Sequence, residues 1–180
     1  MNEVELIRTQ LALERAHAGA VANACASAVQ AEAAAVVSAD SLAQFRNACV
    51  DYLACVLAWF EERDQRLTDR LQARRGPPDP ARRALEEALA RPGRSREALA
   101  KLETACAGPQ SAWREFAEYF NGVWTTRRDA LDALLATDSR ATDWRTCGGI
   151  DADSILEERR RYAQVCAQVP ADVALGTKPP

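Results

Sequence analysis

The chain has 180 residues, of which 48% are hydrophobic and 27% are charged, and its formal net charge is −3. This length and apolar fraction are enough for one well-buried domain and short for two. Arg is interleaved with Asp and Glu, without the basic excess on one face that nucleic-acid binding requires, so we expect no nucleic-acid partner. Alanine, leucine, glutamate and arginine predominate, which favours an all-α fold.

Two long helices are predicted in the N-terminal part of the chain. Apolar residues recur at helical spacing over about residues 3–37, and again from a cap at Asp40 or Ser41 up to the GPPDP segment at 76–80. The second of these stripes contains Phe45, Cys49, Tyr52, Val56, Trp59, Arg63, Leu67 and Leu71.

Shorter and less regular helical patterns follow. We expect a helix at 81–91 that restarts at 95–107 after an RPG break, which leaves its register ambiguous, then a long helix at 111–137 and a last one at 151–168. Together these patterns predict an antiparallel up-down four-helix bundle at residues 1–138. We expect residues 139–169 to form a C-terminal helical extension and residues 170–180 to be a flexible tail.

Nothing in the sequence predicts a membrane partner. The run of small residues at 18–36 contains Asn23, Gln30 and Glu32, and alanine is too weakly hydrophobic to form a convincing span. The acidic N-terminus lacks the basic start and apolar core of a secretory signal. We therefore expect a cytoplasmic protein.

The six cysteines are scattered and contain no C-x-x-C pair, which is typical of free, mostly buried thiols. A zinc site would need cysteines at closer spacing or more histidines, and His17 is the single histidine of the sequence. The cysteines stand at 25, 49, 55, 106, 147 and 166.

A W-x-x-x-R-D element occurs twice, as WFEERD at 59–64 and WTTRRD at 124–129. Its two Arg residues, Arg63 and Arg128, fall on or beside apolar stripes and can stack on the preceding Trp, a contact worth about 0.5–2 kcal/mol. Burial of a guanidinium costs more than that unless acids are supplied, and Glu14, Asp64 or Asp129 are the candidates. Alternatively both Arg side chains extend to solvent over a Trp face.

Four segments resemble the hemerythrin-like (HHE cation-binding) family. WFEERDQRLTDRL at 59–71 is similar to its H-F-x-x-E-E-x-x-L-F-P-x-L pattern, and WTTRRDALDALL at 124–135 to its H-x-x-x-E-E pattern. ALERAHAGAV at 12–21 looks like the first-helix E-H segment, and ATDWRTCGGI at 141–150 like the D-W-x-x-I segment. The resemblance implies a four-helix bundle of a family whose members bind two iron atoms, and it places His17 at a ligand position.

The chain departs from that family at the metal ligands. Trp stands where His is expected and Arg where Glu is expected, and neither an indole nor a guanidinium can hold a metal. We therefore expect no metal and no cofactor. The alternative is an ordinary bundle in which Trp59 and Trp124 are plain core residues. The former metal-site positions, which are the candidate ligand-binding residues, are His17, Trp59, Arg63, Trp124 and Arg128.

Catalysis has no sequence support, because the chain has no nucleophile paired with a base, no P-loop and no H-E-x-x-H, so we expect no enzyme. His17, alone on an apolar stripe, is predicted to be a hydrogen-bonded core residue. The leading hypothesis is a structural or protein-interaction module, with a partner or homodimer surface on the Arg-rich 72–96 region or on an Ala-rich helix face. The alternatives are a small anionic ligand in a Trp/Arg pocket, and residual iron or oxygen binding through His17.

Overall fold

A computed structural model describes residues 3–34, 38–73, 83, 99–100, 113–118, 120–122, 129, 141–147, 151–171, 173 and 175. These residues contain helices and no strand, which confirms the all-α class. The helices are α1 (Glu3–Ala33), α2 (Ala39–Ala73), α3 (Ala141–Cys147) and α4 (Ala152–Ala167). The described residues between 113 and 122, called here the Trp113 segment, are also helical.

The boundary between α1 and α2 differs from the prediction in its capping residue. Ser38, rather than Asp40 or Ser41, precedes the first turn of α2, and its Oγ accepts a hydrogen bond from the Ser41 backbone N–H at 3.3 Å. The Ser38 carbonyl also accepts from the Leu42 N–H at 3.1 Å. Such a serine satisfies a backbone donor that the first helical turn leaves without a partner.

The C-terminal part of the chain forms two helices where the sequence predicted one. α3 is a seven-residue helix, and its Trp144 is fully buried. Its buried Asp143 accepts a hydrogen bond from Arg70 of α2 at 2.8 Å. α4 begins after Asp151, whose side chain accepts from the Ser154 N–H at 2.9 Å, so the predicted 151–168 helix is confirmed within one residue at each end.

One hydrophobic core joins α1, α2, the Trp113 segment and α4. Tyr162 and Val165 of α4 belong to the same buried cluster as Phe45 of α2 and Phe116, so the predicted C-terminal extension contributes to the core. Four buried alanines of α1, namely Ala18, Ala22, Ala24 and Ala28, also lie in this cluster, which turns much of its Ala-rich face toward its own chain. The buried alanines of α1 are Ala18, Ala20, Ala22, Ala24 and Ala28.

Several predicted features lie outside the described residues. These include most of the helix predicted at 81–107, the antiparallel closure of the bundle that depends on it, and Trp124 and Arg128 of the second W-x-x-x-R-D element. Over the part of the chain that is described, no helix combines the length and hydropathy that a membrane crossing needs.

We expect Leu53→Ala in α2 to lower the free energy of unfolding by about 2–5 kcal/mol, because Leu53 is fully buried and its truncation leaves a cavity. Urea denaturation followed by circular dichroism measures this change. The matched control is Leu156→Ala on α4, whose side chain is 63% exposed, and it should change stability by less than about 0.5 kcal/mol. Equal effects of the two changes would contradict the assigned core.

Candidate functional site

His17 lies in the core between α1 and α4. Its Nδ1 is 3.0 Å from Oε1 and 3.2 Å from Oε2 of Glu158, and its ring stacks on Tyr162 with a centroid distance of 3.8 Å and an interplanar angle of 7°. His17 is 4% exposed and Glu158 is 1% exposed. The prediction that His17 is a hydrogen-bonded core residue is confirmed.

Glu158 also receives a hydrogen bond from α2. The Tyr52 hydroxyl donates to Glu158 Oε1 at 2.5 Å. Burial, and then the charge of Glu158, raise the pKa of Tyr52 far above its ordinary value, so the phenol keeps its proton and remains a donor. Groups from α1, α2 and α4 thus meet at one carboxylate. His17, Tyr52, Glu158 and Tyr162 are called here the Glu158 cluster.

Arg63 forms a second buried polar group, in which α1 and α2 meet. Its Nη1 donates to Glu14 Oε2 at 2.9 Å, and its Nε is 3.5 Å from Oδ1 of Asp64. Gln10 donates to the other oxygen of Glu14 at 3.0 Å. Gln10, Glu14, Arg63 and Asp64 are called here the Arg63 cluster.

The sequence left open whether Arg63 is buried among acids or extends to solvent, and its burial decides between the two. The residue is 4% exposed, so it does not extend to solvent, and both acids predicted as its partners from the N-terminal half are present. Burial alone would lower the pKa of Arg63, but the charges of Glu14 and Asp64 outweigh it and raise the pKa. Arg63 is therefore a permanent cation in the core.

The aromatic contacts of the first W-x-x-x-R-D element differ from the predicted stack. The guanidinium of Arg63 lies over the ring of Phe60, at 4.7 Å from its centroid. Trp59 is half-buried and instead has Arg161 of α4 over its ring at 6.0 Å. The reason is that Arg63 turns toward the acid on α1, which places it against Phe60.

Helical spacing explains how these side chains come together. Glu14 and His17 stand three residues apart on α1, so both face the same neighbours. Tyr52 and Arg63 are eleven residues apart on α2, close to three full turns, and therefore share a face. The two clusters follow one another along the contact between α1 and α2.

Sequence reasoning missed Glu158 and the two tyrosines that surround it. Glu158 stands in the charged stretch LEERRR, which reads as a solvated face. The signal that could have identified it is its spacing of three from Ile155 and four from Tyr162, which puts it on the apolar stripe of α4.

The central side chains do not fit a pair of iron atoms. Glu158 is bonded to His17 and Tyr52, and Glu14 is bonded to Arg63 and Gln10. A metal ion would have to displace a guanidinium from Glu14 and would then be repelled by it. Across the described ranges, no three His, Cys, Asp or Glu side chains are grouped as metal ligands.

The described cysteines are free thiols. Cys25 and Cys49 are buried next to each other, and burial, followed by the contact with Cys25, raises the pKa of Cys49 well above its ordinary value. Burial also raises the pKa of the less buried Cys55 and Cys166. A protonated thiol is a weak nucleophile, and Cys25, Cys49 and Cys166 pack in or against the hydrophobic core.

A polar groove lies between α2 and α4, with a volume of about 420 Å³. Its described lining residues include none of the candidate ligand-binding residues His17, Trp59 and Arg63, so it differs from the pocket predicted around them. Among its lining residues Tyr52 is buried, and Ala48 and Arg161 are half-buried. Its polar lining side chains are Gln44, Asn47 and Asp51 of α2 and Arg161, Gln164 and Gln168 of α4.

Comparison of the chain with protein-family models, with curated proteins and with solved structures finds no match.

We expect Arg63→Met to destabilise the protein by about 3–5 kcal/mol, because it leaves the carboxylates of Glu14 and Asp64 buried without their cation. Adding Glu14→Gln should recover part of this loss, since one of the two uncompensated charges is then removed. Urea denaturation of both variants measures the change. The exposed Arg159→Met is the control, and its effect should stay within about 0.5 kcal/mol. A stable Arg63→Met protein would refute the cluster.

We expect Tyr52→Phe to lose about 1.5–3 kcal/mol at neutral pH, because a hydrogen bond to a buried carboxylate is removed. This loss should shrink as the pH rises above about 10, the ordinary tyrosine pKa. The unfolded chain then releases the Tyr52 proton while the folded protein retains it, so the wild type loses up to about 1.4 kcal/mol per pH unit from this group.

Urea denaturation of both proteins at a series of alkaline pH values measures this convergence. The phenylalanine variant cannot lose a phenolic proton at position 52, so the difference between the two proteins isolates this residue from lysines and thiols. Parallel stability curves would mean that Tyr52 ionises equally in both states.

Proposed function

We propose that the protein is a metal-free helical module that acts in structure or protein interaction. The observation that carries this proposal is that the buried acids and the histidine at its centre are bonded to other side chains of the same chain. A core of this kind holds helices in a fixed arrangement and has no place for an iron pair.

We further propose that the module is an antiparallel four-helix bundle related to the hemerythrin-like family. Two of the five former metal-site positions, His17 and Arg63, do lie buried among carboxylates. The guanidinium between Glu14 and Asp64 supplies the positive charge that a metal ion would otherwise bring to the carboxylates of such a centre. On this proposal, Arg replaced the metal electrostatically.

The structural hypothesis has more support than the anion pocket or residual iron binding. Arg63 would have to leave Glu14 to bind an external anion, and that would leave a buried carboxylate uncompensated. His17 and Glu158 would have to leave each other to bind iron. We likewise assign no catalytic step, because Glu158 holds both His17 and the Tyr52 hydroxyl inside the core.

The partner surface is proposed to be polar. Within the described part of the chain, the only large hydrophobic side chains that are exposed are Leu6 at 49% and Leu156 at 63%. Obligate dimers bury larger and more apolar surfaces, so a separate protein bound through polar contacts is favoured over a homodimer. The Arg-rich region at 72–96, predicted as such a surface, lies mostly outside the described residues.

The free thiols favour a reducing compartment such as the cytoplasm.

Protein purified from iron-supplemented cells should contain far less than one iron per chain. Added ferrous iron should leave its melting temperature unchanged, because no ligand set is available to bind it in the folded state. Elemental analysis, an absorption spectrum and a thermal melt provide the three readouts. Two irons per chain with an oxo-bridge absorption band would overturn the metal-free proposal.

The interaction part of the proposal needs a separate test. The chain should co-purify with another protein in a fixed ratio from its own cells, and the charge-reversal variant Arg159→Glu/Arg160→Glu is compared with it. Both residues are exposed on α4, so the variant folds while its polar surface changes. A monomer with no partner in a fixed ratio would remove the interaction role and leave the structural one.

A further inference from the structure

The groove between α2 and α4 carries charges that do not neutralise each other. Asp51 stands on the α2 wall and Arg161 on the α4 wall. Among the described residues, no ion pair joins Asp51 to Arg161 or to another cation. Oppositely charged side chains that close on one another would fill the groove, whereas these two leave it open.

Arg161 is held in position without losing its capacity to bind a ligand. Its Nε donates to Glu157 Oε1 at 2.8 Å, and its guanidinium lies over Trp59 at 6.0 Å. These contacts use Nε and the face of the guanidinium. The two terminal nitrogens therefore stay available for a ligand, and they are donors that match a carboxylate. Arg161 therefore presents an oriented anion-binding group at the groove.

Four amide side chains surround the two charges. They lack intramolecular hydrogen-bond partners in the described part of the chain, and each offers both a donor and an acceptor. The buried Tyr52 adds its ring, while its hydroxyl is already bonded to Glu158. The amides are those of Gln44, Asn47, Gln164 and Gln168.

We propose that this groove is a binding site for a small zwitterion of the amino-acid or short-peptide class. The ligand's carboxylate pairs with Arg161, its ammonium group pairs with Asp51, and the amides bind its remaining polar groups. The volume of about 420 Å³ lies within the range of about 300–1,000 Å³ that small-molecule sites occupy.

The charge pattern selects this class over its neighbours. A simple anion is attracted by Arg161 but repelled by Asp51. A simple cation is attracted by Asp51 but repelled by Arg161. A neutral polyhydroxylated molecule could use the amides and would leave Asp51 without a counterion. A ligand that carries both charges satisfies all of the lining groups together. This inference does not depend on whether the core is metal-free.

The test uses L-glutamine as the probe, because its side-chain amide matches the lining amides. Its affinity for the full chain is measured by titration calorimetry or by NMR shift changes. N-acetyl-L-glutamine lacks the cationic group, and L-glutaminamide lacks the anionic one. Each should bind at least about tenfold more weakly than glutamine, which corresponds to the loss of one charge-assisted contact. Glycyl-L-glutamine serves as the short-peptide probe, and D-glucose as the neutral one.

Two groove variants assign the contacts. Asp51→Asn should abolish the preference for glutamine over N-acetylglutamine, and Arg161→Gln should abolish its preference over glutaminamide. Asp153→Asn and Arg159→Gln, both exposed on α4 away from the lining residues, should bind as the wild type does. Thermal melts confirm that each variant is folded.

Three results would overturn the proposal. These are no binding of either zwitterion at millimolar concentrations, binding that the two groove variants do not change, and glucose binding as strong as that of glutamine. Iron content and partner capture are measured on the same preparations, so failure here is distinguishable from failure of the metal-free interaction module.

Discussion

A guanidinium held between two carboxylates at the contact of α1 and α2 constrains how the described helices pack. Desolvating Arg63 costs several kcal/mol, and that cost is offset only while Glu14 of α1 and Asp64 of α2 stay within reach. A shift of α1 by one residue would remove Glu14 from Arg63 and His17 from Glu158 together. The two clusters therefore fix the register of helices whose small, alanine-rich contact surface specifies it weakly. We therefore expect the charges in the core to contribute specificity of packing more than net stability.

The Glu158 cluster extends this constraint to the C-terminal helix. Because Glu158 accepts from Tyr52 of α2 and bonds to His17 of α1, α4 is held against both. The stack of Tyr162 on His17 excludes water from these bonds. Tyr52 of α2 also lines the groove, which lies on the outer side of these bonds. The two helices that form the walls of the groove are consequently held together by the buried network behind them.

Composition was enough to predict the all-α class and helical periodicity to predict both long helices, whereas the burial of Arg63 was one of two alternatives that the sequence left open. Periodicity failed where a contact depends on elements distant in the sequence. Glu158 was not identified because its partners come from helices more than a hundred residues earlier. The cap of α2 at Ser38 was missed because several polar residues in a row can each cap a helix. The kinship with hemerythrin-like bundles remains a prediction, since it rests on positions where the ligands themselves are replaced.

Two arginines of similar aromatic surroundings illustrate why binding is proposed for the groove and not for the core. Arg63 is the cation of two buried acids, so any ligand that drew it away would leave charges in a medium that solvates them poorly. Arg161 shares Glu157 with Arg160, and hydrogen bonding from Arg160 first, and then from Arg161, lowers the pKa of Glu157 to about 2. If Arg161 turned to a ligand, Glu157 would retain both solvent and Arg160. Releasing the arginine from its carboxylate therefore costs little free energy at the groove and much in the core. Arginine thus acts as a structural cation at position 63 and as a recognition group at position 161.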